Sequence, residues 1–172
     1  MNLDIIRRLY AANDALHLKL WACIDHLSDA QFVREVPYGI GSVRNHMIHL
    51  ASADQRWMAR VTGPSLPERL RPDDYPTKTA ARAAWDAAQA HVRATVAALS
   101  DADLTRPITY EIQRLDPPQT LSATSAVWQV LVHVLNHGTD HRAQVLRLLY
   151  EFGAPTFEQD WMIHWWDEAG EM

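Results

Sequence analysis

Apolar residues recur three or four positions apart in four long stretches, about 3–26, 42–62, 77–99 and 122–152, the spacing of one face of an α-helix. In the first, Ile5, Leu9, Ala12, Leu16 and Leu20 form the stripe; in the second, Val43, Met47, Leu50, Trp57 and Val61 do. The third, TKTAARAAWDAAQAHVRATVAAL, is carried by alanine, the residue that enters a helix at least cost. Prolines fall between the stretches: Pro37, then Pro64, Pro67, Pro72 and Pro76, then Pro107, Pro117 and Pro118, and lastly Pro155. A proline inside a helix costs about 3 kcal/mol, so these positions mark loops or helix starts. Ser28 with Gln31 reads as a capping box for a short extra helix. Gly41-Ser42 precedes the second stretch, Gly63-Pro64 ends it, and Gly153 followed by Pro155 closes the fourth. Ile108, Tyr110 and Ile112 alternate with polar neighbours, a period compatible with a short hairpin arm before the fourth helix. The expected fold is all-α: one domain over residues 1–172, a four-helix bundle with a long link at 64–76 between its second and third helices.

Composition narrows the class. A chain of 172 residues, 48% hydrophobic, can bury one core and is too short to expect two. Its net charge is −5 and it has no basic cluster to track phosphates, so no nucleic-acid partner is expected. Cys23 stands alone, which excludes an internal disulfide and a cysteine-based zinc site. The opening MNLDIIRRLYAANDALHLKL lacks the apolar core and cleavage site of a secretion signal. No run approaches the roughly 20 apolar residues that cross a bilayer. The expectation is a cytoplasmic protein with no membrane partner.

The chemistry lies in the histidines. In LVHVLNHGTDHRAQVLRLL, residues 131–149, His133, His137 and His141 fall four apart. Val134 sets the centre of the apolar stripe, and at about 100° per residue His141 lies about 20° away, His137 about 60° and His133 about 100°. His137 and His141 therefore point into the bundle, and His133 sits at the edge. Residues four apart have Cβ atoms about 5–6 Å apart, close enough for both rings to reach one ion through bonds of about 2.0–2.1 Å. Hydrogen bonds to backbone or water are the alternative, because a buried ring without partners costs about 1–3 kcal/mol. The intervening GTD lacks the glutamate of a zinc protease helix, which argues against that chemistry. For a third ligand the second helix offers His46, nearer its apolar centre, and His49, nearer its edge. A helical wheel alone does not choose between them.

Two segments, HLASADQRW at 49–57 and HVLNHGTDHRAQV at 133–145, resemble the DinB/YfiT-like superfamily, and the resemblance extends over nearly the whole chain. Its most specific part is N-H-x-x-x-H-R-x-Q, here Asn136, His137, His141, Arg142 and Gln144, with Ala143 where the family often has glycine. The resemblance implies a four-helix bundle, usually paired as a homodimer. It also implies a divalent metal held by one histidine of the second helix and two of the fourth, here His49, His137 and His141. The family pattern gives His46 no role. Three neutral imidazoles leave a coordination position open, the arrangement of a catalytic metal. Such ligands suit zinc, nickel, iron or copper. A water at that position would be acidified towards neutrality and attack a carbonyl, or a low-molecular-weight thiol would bind there as a nucleophilic thiolate. The resemblance thus implies a metal-dependent enzyme on a small-molecule substrate, a thiol-dependent transferase or a hydrolase. The other reading is a metal or small-ligand binding protein in a stress response, since no general acid or base declares itself.

Each ligand ring needs its second nitrogen fixed. Asp54, Asp140, Asn136 and Gln144 are the candidates by position, with Asp140 read first as a solvated acid and His133 as an edge residue. Arg142 reads either as a bidentate holder of a substrate carboxylate or as a partner across the dimer. Trp57 and Trp128 read as core. The tail DWMIHWWDEAG is too apolar to hang in water and should pack back on the bundle, over the site mouth or along a dimer seam. His164 in it reads as a surface residue, and Cys23 as buried and inert.

Overall fold

A computed structural model describes residues 2–63, 65–115 and 117–170. Pro64, one of the boundary residues above and the first of the long link, lies outside the described residues. Helix α1 spans Leu3–Ile24, α2 Asp29–Phe32, α3 Val43–Thr62, α4 Lys78–Ala98, α5 Val127–Glu151 and α6 Trp161–Ala169. Strands β1, Pro107–Leu115, and β2, Pro118–Ala126, form an antiparallel hairpin. Side chains fix the helix starts. Asn2 accepts from Ile5 N, Ser42 from Asn45 N, and Thr77 from Ala80 N. Ser28 and Gln31 close the capping box on α2. Each such cap is worth about 1 kcal/mol.

Several readings of the sequence change. The fourth helix begins at Val127, not near 122, because residues 118–126 are paired with β1, Ile112 opposite Leu121 and Pro107 opposite Ala126. The chain passes from strand to helix without a loop: Val127 N donates to the Arg106 carbonyl and Ala126 N to Gln129 Oε1 at 2.8 Å. Trp128 is 37% exposed rather than core, since it lies about 120° from the apolar centre of its helix. Trp57 is half-buried at the rim of the core. The tail folds back as α6, capped by Asp160. It lies against α1, with Lys19 Nζ at 3.8 Å from Asp167 Oδ2. His164 is consequently 6% exposed, not a surface residue. Cys23 is half-buried, and burial raises its thiol pKa.

Helices α1, α3, α4 and α5 pack together around two apolar clusters. One holds Trp21, Phe32, Met47, Trp85 and Leu148. The other holds Ile6, Tyr10, Met58, Val92 and Val134. Between the clusters each long helix contributes buried polar residues: Asn13 and His17 from α1, Ser52 and Asp54 from α3, Gln89 from α4, His141 and Arg142 from α5. A polar belt thus crosses the middle of the helical body, and buried polar groups persist only when they are hydrogen-bonded. Among the described residues no helix is long and apolar enough to cross a membrane.

The belt makes stability depend on pH. Gln89 Nε2 donates to Asp54 Oδ2 at 2.6 Å. Burial pushes the Asp54 carboxyl up from 3.8 to about 7, against the Gln89 bond and the Arg142 charge, which pull it down. A carboxyl with a folded pKa above its unfolded one favours folding while protonated. That contribution is complete below about pH 4 and is lost as pH rises through about 7, a swing of up to about 4 kcal/mol. Urea denaturation from about pH 5 to pH 8 is expected to show Asp54→Asn gaining stability relative to the parent as pH rises. A difference that stays constant over that span would mean that Asp54 ionises normally.

Candidate metal centre

Helices α3 and α5 lie side by side and bring four imidazoles together at the level of the belt. His46 and His49 are three apart on α3, and His137 and His141 four apart on α5, so each pair shares a helix face. His46 Nδ1 lies 2.8 Å from His141 Nδ1, and His49 Nε2 lies 3.0 Å from His137 Nε2. The ring centroids of His49, His137 and His141 are 4.5 to 5.0 Å apart. Each of the three offers a nitrogen within 4.8 Å of the others, a placement suited to one metal ion.

The donor set fits a cation. Two ring nitrogens facing each other at 3.0 Å repel unless a proton or a metal lies between their lone pairs. Burial first, then neighbouring histidine charge, lowers His137 to about 3 and His46 and His141 to about 4. His49 is lowered as well, by burial and the nearby Arg69 charge. All four rings are therefore free bases at neutral pH, with lone pairs available. His137 Nδ1 is buried without a hydrogen-bond partner among the described residues. Nitrogens each about 2.0–2.1 Å from one ion stand no more than about 4.2 Å apart, a spacing the trio reaches with small ring movements.

His46 is buried and has a position of its own. If His141 gives Nε2 to an ion, its Nδ1 carries the proton, and the atom facing that proton is His46 Nδ1. His46 Nε2 lies on the other side, where the Ile40 N–H points at it from 3.5 Å and where Gln144 and the loop at Gly39 lie. Gly39 has φ +57°, and a Cβ there would come within 2.5 Å of Gln144 Oε1 and 2.7 Å of His46 Nε2. Gly39→Ala should therefore push His46 off His141 and weaken zinc affinity about tenfold, the low end of what loss of a supporting partner costs. Gly153 has φ +73° but nothing within 4 Å of its added Cβ, so Gly153→Ala carries backbone strain alone. Competition with a chromophoric chelator checks this. Equal effects of the two substitutions would contradict it.

The remaining predicted residues separate. Asn136 and Asp140 are exposed and make no side-chain hydrogen bond among the described residues. Asp140 is nonetheless near enough for its charge to oppose the lowering of His46, His137 and His141. His133 is exposed and packs against Trp57, ring centroids 4.9 Å apart, outside the trio. Asp54 is held by Gln89, and no hydrogen bond joins it to a ligand histidine. Arg142 is 0% exposed and meets neither expectation for it, a substrate carboxylate or a dimer partner. Its Nη1 donates to Asn13 Oδ1 at 2.6 Å, Nη2 to Thr139 Oγ1 at 3.1 Å, and Nε to Gln159 Oε1 at 3.1 Å. Gly138, one turn earlier, makes room: a Cβ there would lie 3.5 Å from Arg142 Nη1 and 3.3 Å from Asn13 Oδ1. Arg142 thus braces α1, α5 and the tail.

Beside His49 and His137 opens a cleft of about 570 Å³. Trp57, Leu66 and Ile112 give it apolar surface, and Arg56, Arg60 and Arg69 bring guanidinium groups. Sequence reasoning gave these arginines no role, although Arg56 and Arg60 follow His49 by seven and eleven residues and so lie on its face of α3.

A family model described as the DinB superfamily matches residues 13–145. A solved crystal structure, of a DinB-like protein from Bacillus cereus ATCC 10987, is similar at 21% identity and a TM-score of 0.56. The match covers 81% of this chain and 88% of that one, and it speaks to the fold alone. No curated protein matches the chain.

Proposed function

Since the chain belongs to the DinB superfamily, we propose that it is a divalent-metal-dependent enzyme acting on a small molecule, either a thiol-dependent transferase or a hydrolase. The observation that carries this reading is the meeting of three neutral imidazoles, His49, His137 and His141, two of them on the wall of a cleft. When bound, a zinc, nickel or iron ion supplies Lewis acidity that lowers the pKa of a water or thiol. The chain's own part is positional. His49 and His137 bring the centre to the cleft, and His46, whose Nδ1 faces His141 Nδ1, sets the orientation of His141. Trp57 and Ile112 form a surface against which a substrate is held. The four long helices are read as the family's four-helix bundle, and the family's homodimer is the expected state, which sedimentation would check.

A second reading, storage or sensing of a metal or small ligand without turnover, is favoured by one feature. Among the described residues Glu111 is the only carboxylate on the cleft wall, and Asp54 is committed to Gln89. A panel of thiols, electrophiles and esters separates the two. The enzyme reading predicts turnover that a chelator abolishes and added metal restores. Tight metal binding with no product from any pair would contradict it.

A further inference from the structure

The cleft gathers positive charge that the protein itself does not neutralise. Arg56 and Arg60 enter from α3, and Arg69 from the link that follows it. Among the described residues none of the three lies within ion-pair distance of a carboxylate, whereas Arg7, Arg44, Arg82, Arg93, Arg106 and Arg147 each do. The chain has 21 acidic residues against 16 basic ones, so acids are not scarce. The cleft wall nevertheless carries a single acid, Glu111.

Two of these arginines are not loose surface groups. Arg56 is half-buried, and its Nη1 donates to the Pro67 carbonyl, tying the link to α3. The Arg60 guanidinium lies over the Trp57 ring, 4.6 Å from its centroid, and over Tyr110 at 5.8 Å. Its Nη1 donates to the Arg56 carbonyl at 3.3 Å, and its Nε is buried without a partner among the described residues. Arg69 is exposed, and its charge is felt at Arg56, at Arg60 and at His49. Three guanidinium groups lining one cleft, two of them partly desolvated, repel until an anion joins them. Guanidinium forks fit carboxylate and phosphate oxygens in pairs.

We infer that the molecule entering this cleft is a compact organic polyanion, its carboxylate or phosphate groups held by Arg56, Arg60 and Arg69 and its carbon skeleton laid on Trp57 and Ile112. Its other end faces His49 and His137. What that end meets rests on the metal-enzyme reading above; the anion site does not.

The test uses the full chain, both zinc-loaded and chelator-treated, with succinate, glycerol 3-phosphate and neutral succinamide as probes in calorimetric titrations. Succinate or glycerol 3-phosphate should bind the chelator-treated protein, succinamide should not, and the anion that binds more tightly identifies carboxylate or phosphate as the recognised group. Arg60→Met and Arg69→Gln should each weaken that binding about tenfold while zinc stoichiometry stays unchanged. Arg69→Gln changes an exposed side chain, so its result stands even if Arg60→Met misfolds. The inference is overturned if both anions bind no better than succinamide. It is equally overturned if anions bind only the zinc-loaded protein and Arg69→Gln has no effect, for then the ion holds them. Anion binding by a protein that takes up no zinc would sink the metal reading and uphold the anion site.

Discussion

Replacing His137 by alanine should lower zinc affinity by more than about a hundredfold, beyond what loss of a merely supporting residue costs. The expectation follows from position. His137 faces both partners, with its Nε2 3.0 Å from His49 Nε2 and its ring centroid 4.5 Å from that of His141. The other histidines grade the effect. His46→Ala removes the group facing His141 Nδ1 and should cost about 10–100-fold. His133→Ala removes a ring that packs on Trp57 and should leave affinity unchanged. The apo fold should tolerate His137→Ala, because its Nδ1 has no partner among the described residues and His49, which faces its Nε2, is exposed to water. Chelator competition gives the affinities, and thermal unfolding after chelation gives the fold. Equal losses for His133→Ala and His137→Ala would remove the distinction on which the three-ligand assignment stands.

Arg142→Ala should destabilise the protein by about 3–5 kcal/mol, the cost of breaking a buried charged network from one side. The guanidinium donates to Asn13, Thr139 and Gln159, and one Nη1 contact reaches the His17 ring at 3.3 Å. Deleting it leaves the buried Asn13 and the half-buried Thr139 and Gln159 without their donor and removes the positive charge that pulls the Asp54 pKa down. Arg142→Lys should recover little, since an ammonium cannot reach three acceptors set in a fork. Urea denaturation checks both variants. A loss below about 1 kcal/mol, the scale of an exposed pair, would return Arg142 to the role of a substrate or dimer contact.

These outcomes also mark what the sequence could and could not convey. The long helices were legible because several of their ends are written locally, in Ser42, Gly63 and Gly153, and because prolines separate them. The start of α5 was not, since Leu121 to Ala126 fit a strand only through their pairing with β1. Choosing between His46 and His49 was beyond a helical wheel. Both lie on the flank that α3 turns to α5, and the choice depends on which ring nitrogens meet. The motif resemblance, not periodicity, pointed to His49. Arg142 misled because its neighbour His141 belongs to the site while its own side chain turns towards α1, into space left by Gly138. His17 and Asn13 gave no local signal at all. The cleft arginines did leave one, the seven- and eleven-residue spacing from His49, visible only once His49 is taken as the reference point.

X-ray absorption at the zinc edge of the loaded protein tests the central claim most directly. Three imidazole nitrogens at about 2.0–2.1 Å, with a further light atom completing the shell, is the predicted result. A shell of oxygen atoms without the multiple-scattering pattern of imidazole, or a spectrum unchanged in the His137→Ala protein, would contradict it.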